Sequence, residues 1–315
     1  MLRSSECVSP SHPDKICDQI SAAINAEILR RDSGARVAVE TMGGHGKVWI
    51  CGEVTTKNTF DPVKIAKEVL KIRHAHAPVK TVESWIAEQS SEIACGTNDQ
   101  VQGAGDQGVT AGFYFHHGLG GHMFEHALAK KLCQHLYQLY PYDGKTQITC
   151  DVESREITSV VCSWSHVPGE VLNKEIKKYL RKYQAKNAQF LINPCGDWSQ
   201  SGFEADTGLT GRKLAVDFYG ANVPLGGGNL HGKDFTKVDV SGNLYARHLA
   251  RTLGKKHQAD VAIHLSWAIG IPQSTSAIAV IGKKEIELKP VSVRECLQWC
   301  QKHIDPLKLA QWGIE

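Results

Sequence analysis

The sequence predicts an α+β fold of three split β-α-β-type units, and three observations carry that prediction. The order helix, hairpin, helix, strand runs along the chain three times, with no obvious sequence identity between the passes. The first helix carries Ile16, Ile20, Ile24 and Ile28 four apart, which is the stripe of an amphipathic helix. The first hairpin joins two β-like runs, "RVAVETM" and "KVWICGEVTT", through the glycine-rich turn "GGHG". Such units place helices over one face of a mainly antiparallel sheet.

The first pass begins with a helix over 14–31 and the hairpin just named. A helix in "DPVKIAKEVLKIRH" and the strand "KTVESWIAEQ" complete it. The second pass reads "GVTAGFYF", a helix at about 122–138, the hairpin "KTQITCDV" and "REITSVVCSW", a helix near 170–184 and the strand "AQFLIN". The third runs from "RKLAVDFYG", read as an apolar strand, through a helix around 237–254 to "ADVAIHLSWAI", "TSAIAVIG" and a helix at 291–302. The units so delimited cover 1–90, 103–197 and 198–315, with strands open to sharing between them. The polar, glycine-rich stretches at about 91–112 and 195–237 are where function is expected.

The chain has 315 residues, 42% hydrophobic and 22% charged, which is ordinary for a soluble globular protein. A net charge of +3 is too small to point to nucleic acid or a membrane. Ten cysteines fall at irregular spacings without a paired CxxC pattern, so reduced thiols in the cytoplasm are expected. No apolar run has the length of a membrane span, and no signal peptide opens the chain.

Four segments carry chemistry. In "SPSHPDK", Ser11 reads as an N-cap with Pro13 in the first turn and Asp14 closing a short capping box. That leaves His12 and Lys15 gathered at a helix N-terminus, which suits a phosphate, with Asp14 free to hold magnesium against it. "DTGLTGRK" sets Asp206 near Arg212 and Lys213, though adjacent basic residues more often form a solvated face. "GGGNLHGKDFTKVD" opens backbone amides to a ligand and supplies Lys233, Lys237 and Asp239, yet it is no Walker A loop. "GAGDQG" packs three glycines around Asp106, as suits a backbone lying close against something. Two further motifs have structural readings. "HMFEH", His122 to His126, matches an inverted zinc-hydrolase pattern, but the histidines also suit packing or capping. Cys296 and Cys300 share one side of a helix and read as unreactive burial.

Taken in this order, these segments resemble the S-adenosylmethionine synthetase family. The resemblance runs from "SECVSPSHPDKICDQIS" through "VETMGGHGKVWICGEVTT", "QGAGDQG", "INPCGDW", "DTGLTGRKLAVDFYG" and "GGGNLHGKDFTKVD" to "SWAIGIPQSTS". It implies three α+β units about a pseudo-threefold axis, and a homodimer with active sites at the interface; dimer and tetramer both stay open. It implies that methionine sulfur attacks C5′ of ATP, that triphosphate leaves, and that triphosphate is then hydrolysed to phosphate and diphosphate. Sulfur has no proton to lose, so the demand falls on gripping the leaving polyanion. The resemblance assigns that grip to His12, Lys15, Lys145, Arg212, Lys213 and Lys233. It gives magnesium to Asp14 and Asp239, and potassium to Glu40. ATP is matched by Asp106, Asp143, Trp198, Asp206, Asn229 and Ile269, and methionine by Glu53, Gln89, Asp206 and Lys237.

The chain departs from the family pattern at Pro10 and Ser11, where an acid and a glycine are usual. It departs again at Asp197, where an arginine is usual, at "SQSGFEA" in place of a GGP stretch, in a shortened loop after Gln89, and in a short C-terminal segment. A nucleotide-binding relative without turnover is the alternative those departures leave, and a zinc hydrolase built on "HMFEH" is the more remote one.

Overall fold

The computed structural model describes residues 1–73, 79–90 and 103–315. The shortened loop after Gln89 falls, over 91–102, outside the described residues. Three four-stranded sheets organise the chain, each built around one antiparallel hairpin. The first hairpin is β2 (Arg36–Gly44) with β3 (Lys47–Thr55). Its two connecting residues, His45 and Gly46, both take positive φ, at 50° and 82°, as a tight hairpin turn of matching twist requires. The others are β6 (Gly144–Asp151) with β7 (Ile157–Trp164), and β10 (Val261–Trp267) with β11 (Ser276–Ile281).

Each hairpin receives an antiparallel strand from a distant part of the chain. β1 (Leu2–Val8) pairs with β6, β5 (Gly108–Tyr114) with β10, and β9 (Gly208–Leu209) with β2. The exchange is cyclic: a segment ahead of each unit completes the sheet of another. On the opposite edges lie β4 (Thr81–Ala87) beside β3 and β8 (Gln189–Ile192) beside β7, both parallel. Parallel neighbours need a crossover, supplied by helices α2 (Pro62–Arg73) and α4 (Gly169–Leu180). β12 (Lys284–Glu287) is instead antiparallel to β11, because only Gly282 and Lys283 connect them.

Two expectations are corrected here. "RKLAVDFYG" is no strand: Leu214–Asp217 forms a single-turn helix, α5, and the strand of the third sheet is "GVTAGFYF". Val216, Asp217, Phe218, Tyr219 and Gly220 are all buried in succession, whereas a half-buried strand alternates. β1 has no counterpart in the expected elements, because its outward Leu2 and its buried Ser5 run against apolar patterning.

Helices cover one face of each sheet. Helix α1 (Pro13–Arg31) and α2 cover the first, α3 (Phe124–Leu139) and α4 the second, and α6 (Val238–His257) the third. α7 (Val293–His303) packs on α6, and α8 (Pro306–Trp312) on α1. The stripe Ile16, Ile20, Ile24, Ile28 fills the core of the first sheet. Yet Asp14, Lys15, Asp18, Gln19, Ser21 and Asn25 of the same helix are buried too. α1 is therefore walled in on both sides, its polar side facing charged loops rather than water.

Candidate active site

The start of α1 is set by His12, not Ser11. His12 has extended backbone geometry, and its Nδ1 accepts from the Asp14 amide at 3.2 Å, with Pro13 at the first helical position. Ser11 turns its hydroxyl to Tyr137 Oη, 3.1 Å away. Because Nδ1 is an acceptor, the neutral imidazole carries its proton on Nε2. Burial, then Lys213 and Lys145, pull the His12 pKa down to about 3. His12 thus enters the site as a neutral N–H donor and not as a cation.

Asp14 is fully buried and is the meeting point of two chain segments. Its Oδ1 accepts from the Leu209 amide at 2.9 Å and faces Arg212 Nε at 3.2 Å, while Lys213 Nζ bonds Oδ2. Burial works to raise its pKa, but Lys213 and the Leu209 amide outweigh it, and the carboxyl sits below its usual range. The segment 206–213 can lie this close because position 208 is glycine: a Cβ there would be 2.2 Å from the Pro13 carbonyl carbon and 2.6 Å from the Asp14 nitrogen. On the other side stands Lys145, exposed on β6 and opposite Val8 of β1, within electrostatic reach of His12 and of Asp143. Burial drives the Asp143 pKa up to about 6, despite the Gly202 amide that donates to its Oδ2 at 3.0 Å. "SQSGFEA" thereby supplies the backbone support of Asp143, with Phe203 wholly buried beneath Gly43.

Asp197 also has structural work. Its Oδ1 accepts from the Gly169 amide at 2.8 Å and from Asn193 Nδ2 at 3.2 Å, so it caps the start of α4. Trp198 beside it is half-buried, its carbonyl held by the His166 amide at 2.8 Å. Asp206 is exposed; its Oδ1 accepts from the neighbouring Thr207 amide at 2.7 Å, its own amide donates to the Gly202 carbonyl at 3.1 Å, and it feels Asp143.

A second group gathers at the three-glycine run. Lys233 pairs with Asp239 Oδ2 and feels Glu40 and Asp106. Asn229 Nδ2 reaches the two Glu40 oxygens at 3.4 and 3.5 Å, and burial raises the Glu40 carboxyl above its usual range. Gly228 is required here: at φ 96° a Cβ would lie 2.2 Å from Asp239 Cβ. "GAGDQG" lies against this group, the Gly105 amide donating to the Thr236 carbonyl at 3.2 Å and Ala104 bridging to Ile269. Lys237 Nζ and Gln89 Oε1 are both enclosed and have no hydrogen-bond partner among the described residues. Ile269 is 50% exposed, open to a flat apolar ligand. Glu53 stands on the same face of the first sheet as Glu40, two residues further along the pairing.

Hard-cation donors are present in both groups. Asp239 Oδ1 is enclosed and has no partner among the described residues, which fits a metal oxygen ligand, as does the Glu40 carboxyl raised by burial. Asp14 fits once Lys213 is drawn off it by an anion, since both of its oxygens are engaged.

Among the described residues "HMFEH" is not part of any group of three metal-ligating atoms. His122 precedes α3, whose N-cap is Met123, so the pair does not share a helical face. The rings are tilted at 5.7 Å, and His126 Nδ1 bonds Ser5 Oγ at 3.0 Å. Burial lowers both imidazole pKa values and keeps them neutral. Cys296 and Cys300 are buried with thiol pKa values raised by burial, the environment of unreactive thiols.

Residues 1–91 match the family model "S-adenosylmethionine synthetase, N-terminal domain", and residues 200–308 match "S-adenosylmethionine synthetase, C-terminal domain". The chain belongs to the S-adenosylmethionine synthetase family. It is 34% identical to the S-adenosylmethionine synthase of Brachyspira hyodysenteriae over 92% of this chain and 87% of that one. It is 35% identical to the Mesoplasma florum S-adenosylmethionine synthase, over 92% and 85%. Among solved structures it resembles an S-adenosylmethionine synthetase from Campylobacter jejuni described as unusual, with TM-score 0.79 and 29% identity over 96% of this chain and 86% of that one. The three-sheet α+β architecture is thus that of a synthetase of this family. Three buried groups next to the site, Asp18, Asp217 and His231, had no role in the sequence reading. The available signals were Asp18 following Asp14 by one helical turn, and an acid inside the apolar run "KLAVDFYG".

Proposed function

We propose that this chain makes S-adenosylmethionine from ATP and L-methionine. The methionine sulfur forms a bond to C5′ of the ribose as the C5′–O bond to triphosphate breaks, the electron pair leaving with the oxygen. Triphosphate is then hydrolysed to phosphate and diphosphate before product release. The observation that carries the reading is the grouping at the N-terminus of α1, where Arg212 and Lys213 converge on Asp14 beside His12 and Lys145. This is a preformed polyanion cradle on a positive helix end.

In this reading Lys213 and Arg212 exchange Asp14 for phosphate oxygens, and the His12 Nε2–H donates to one of them. Lys145 approaches from β6, and Lys233 from the glycine run. Magnesium held by Asp14 and Asp239, and potassium beside Glu40, would neutralise further charge on the triphosphate. Ile269 and Trp198 flank the adenine, with Asp106, Asp143, Asp206 and Asn229 on the nucleotide's polar edges. Lys237 Nζ and Gln89 Oε1, both lacking partners among the described residues, take the carboxylate and the amino group of methionine with Glu53 and Asp206. No helix among the described residues is long and apolar enough to cross a membrane.

The face of the first sheet that no helix among the described residues covers supports assembly as a homodimer. It exposes Met42 and Trp85, at 43% and 58%, next to Glu40 and Glu53. An apolar face carrying site residues suits an interface at which each active site is completed by the partner. One assay tests the function. Purified protein with ATP, methionine, magnesium and potassium should yield S-adenosylmethionine by mass spectrometry, together with phosphate and diphosphate. Nucleotide binding without product would favour the non-catalytic alternative.

A further inference from the structure

Lys15 lies one residue from Asp14 yet does not face the cradle. It is 1% exposed, and its ammonium sits 2.6 Å from Asp217 Oδ1 and 2.8 Å from Asp18 Oδ2. His231, also enclosed, places Nε2 at 2.9 Å from Asp217 Oδ2 and 3.6 Å from Asp18 Oδ2. Asp18, Asp217 and His231 alone offer three metal-ligating atoms within 4.8 Å of one another, but the Lys15 ammonium already stands where a cation would be held.

Each member of this knot belongs to a segment that carries a site residue. Asp18 Oδ1 accepts from the Gly211 amide at 2.8 Å, and Gly211 immediately precedes Arg212. Asp217 ends the helical turn that starts at Lys213, its amide bonded to the Lys213 carbonyl at 2.9 Å. His231 is two residues from Lys233, and its backbone exchanges two hydrogen bonds with the Asn229 side chain, at 2.9 and 3.0 Å. Lys15 itself follows His12 and Asp14 on α1. A buried ion network has few alternative arrangements, because any displacement leaves a charge unpaired in a poorly solvating interior. It can therefore fix the relative placement of the three cationic segments.

We propose that Lys15, Asp18, Asp217 and His231 form a positioning lock that holds Arg212, Lys213 and Lys233 in register with the start of α1, Lys15 serving as its internal cation. The proposal rests on the reading of the site as a triphosphate cradle. None of the four touches the reacting atoms; they act through the residues next to them.

The test compares His231→Leu, His231→Gln, His231→Asn and Asp217→Asn with the parent. The readouts are kcat, KM for ATP, thermal midpoint and affinity for inorganic tripolyphosphate by calorimetry. His231→Leu and Asp217→Asn should lower kcat per folded molecule and tripolyphosphate affinity about 10–100-fold, the order that a displacement of about 1 Å costs, with KM for ATP nearly unchanged. His231→Gln, whose amide can still donate to Asp217, should keep most of both, and the shorter His231→Asn should not. In an Arg212→Ala background the effect of His231→Leu should shrink to a few-fold, since coupled residues are not additive. Should His231→Leu fail to fold, the contrast between the glutamine and asparagine variants decides. Full kcat and tripolyphosphate affinity with only a lowered thermal midpoint, or equal losses in both backgrounds, would overturn the lock. A parent that makes no S-adenosylmethionine would overturn the proposed function instead, and the lock would then stand or fall on tripolyphosphate affinity alone.

Discussion

Lys213 Nζ rests on Asp14 Oδ2, so a cation expected to meet phosphate and an acid expected to meet metal satisfy each other in the free protein. The pair is a loaded position. An arriving polyanion with its metal can take both partners at once, and neither is left buried and alone at any stage.

Loss of a cradle cation is expected to act on turnover. Arg212→Ala or Lys145→Ala should lower kcat by roughly 10²–10³, as when one preorganised charge partner of a transition state is removed. Negative charge on the leaving triphosphate grows towards the transition state, so KM for ATP should change far less. Steady-state kinetics checks this; a variant at full kcat with only a raised KM would remove these residues from the cradle.

Magnesium dependence should report on the two acids. Asp14→Asn and Asp239→Asn each remove a formal charge from a hard-oxygen donor. Each should shift half-maximal activity to higher magnesium, measured by titrating the metal at fixed ATP. Zinc chelation should leave the parent's rate intact, consistent with the buried, neutral imidazoles of "HMFEH". A zinc requirement together with parent-like asparagine variants would reopen that motif.

Asp143 offers a pH-dependent test of stability. Burial raises its carboxyl from an ordinary 3.8 to about 6, so the folded state favours the protonated form. Below the unfolded pKa both states are protonated and no cost arises. The cost grows as pH rises from about 4 and is complete above about 6, where ionisation of this group costs about 2–3 kcal/mol. Asp143→Asn keeps an oxygen for the Gly202 amide and cannot ionise. Relative to the parent it should gain stability between pH 4 and pH 7 in urea unfolding, whatever it does to activity. A stability difference that does not change over that range would place Asp143 in a more polar setting.

How much of this was legible in the sequence varies with the physics involved. The Ile16, Ile20, Ile24, Ile28 stripe named α1 and its core because apolar burial follows local periodicity. The "GGHG" turn was legible because positive φ demands small or permissive residues. The strand exchange was not, since β1, β5 and β9 are placed by partners more than a hundred residues away, and no local pattern records that. In the site, the residues gathered around Asp14 were legible through motif order. The inward turn of Lys15 was hidden because it depends on Asp217, some two hundred positions on. The place of His12 at the helix start follows from its motif, but its neutrality does not, since that comes from burial and from the lysines around it.

The final expectation concerns assembly. Within one chain the cations pair in two places, Lys213 with Asp14 and Lys233 with Asp239, and the Lys15, Asp217 and His231 network holds the two in fixed relation. Next to the second group, the face of the first sheet that no described helix covers exposes Met42, Cys51 and Trp85 around Glu40 and Glu53. If that face meets its copy in a dimer, the phosphate side of one subunit and the Lys233 side of the other are free to form one site. Trp85→Asp should then yield monomers in sedimentation analysis and lose activity, because a charge in an apolar interface is costly. Mixing inactive Lys145→Ala with inactive Lys233→Ala subunits should restore part of the activity. In each heterodimer one of the two sites receives both intact cations, so statistical exchange should recover about a quarter of the parent's sites. Subunit exchange is verified by pull-down through differently tagged chains. Verified exchange with no recovered activity would mean that both lysines serve a site built within a single chain.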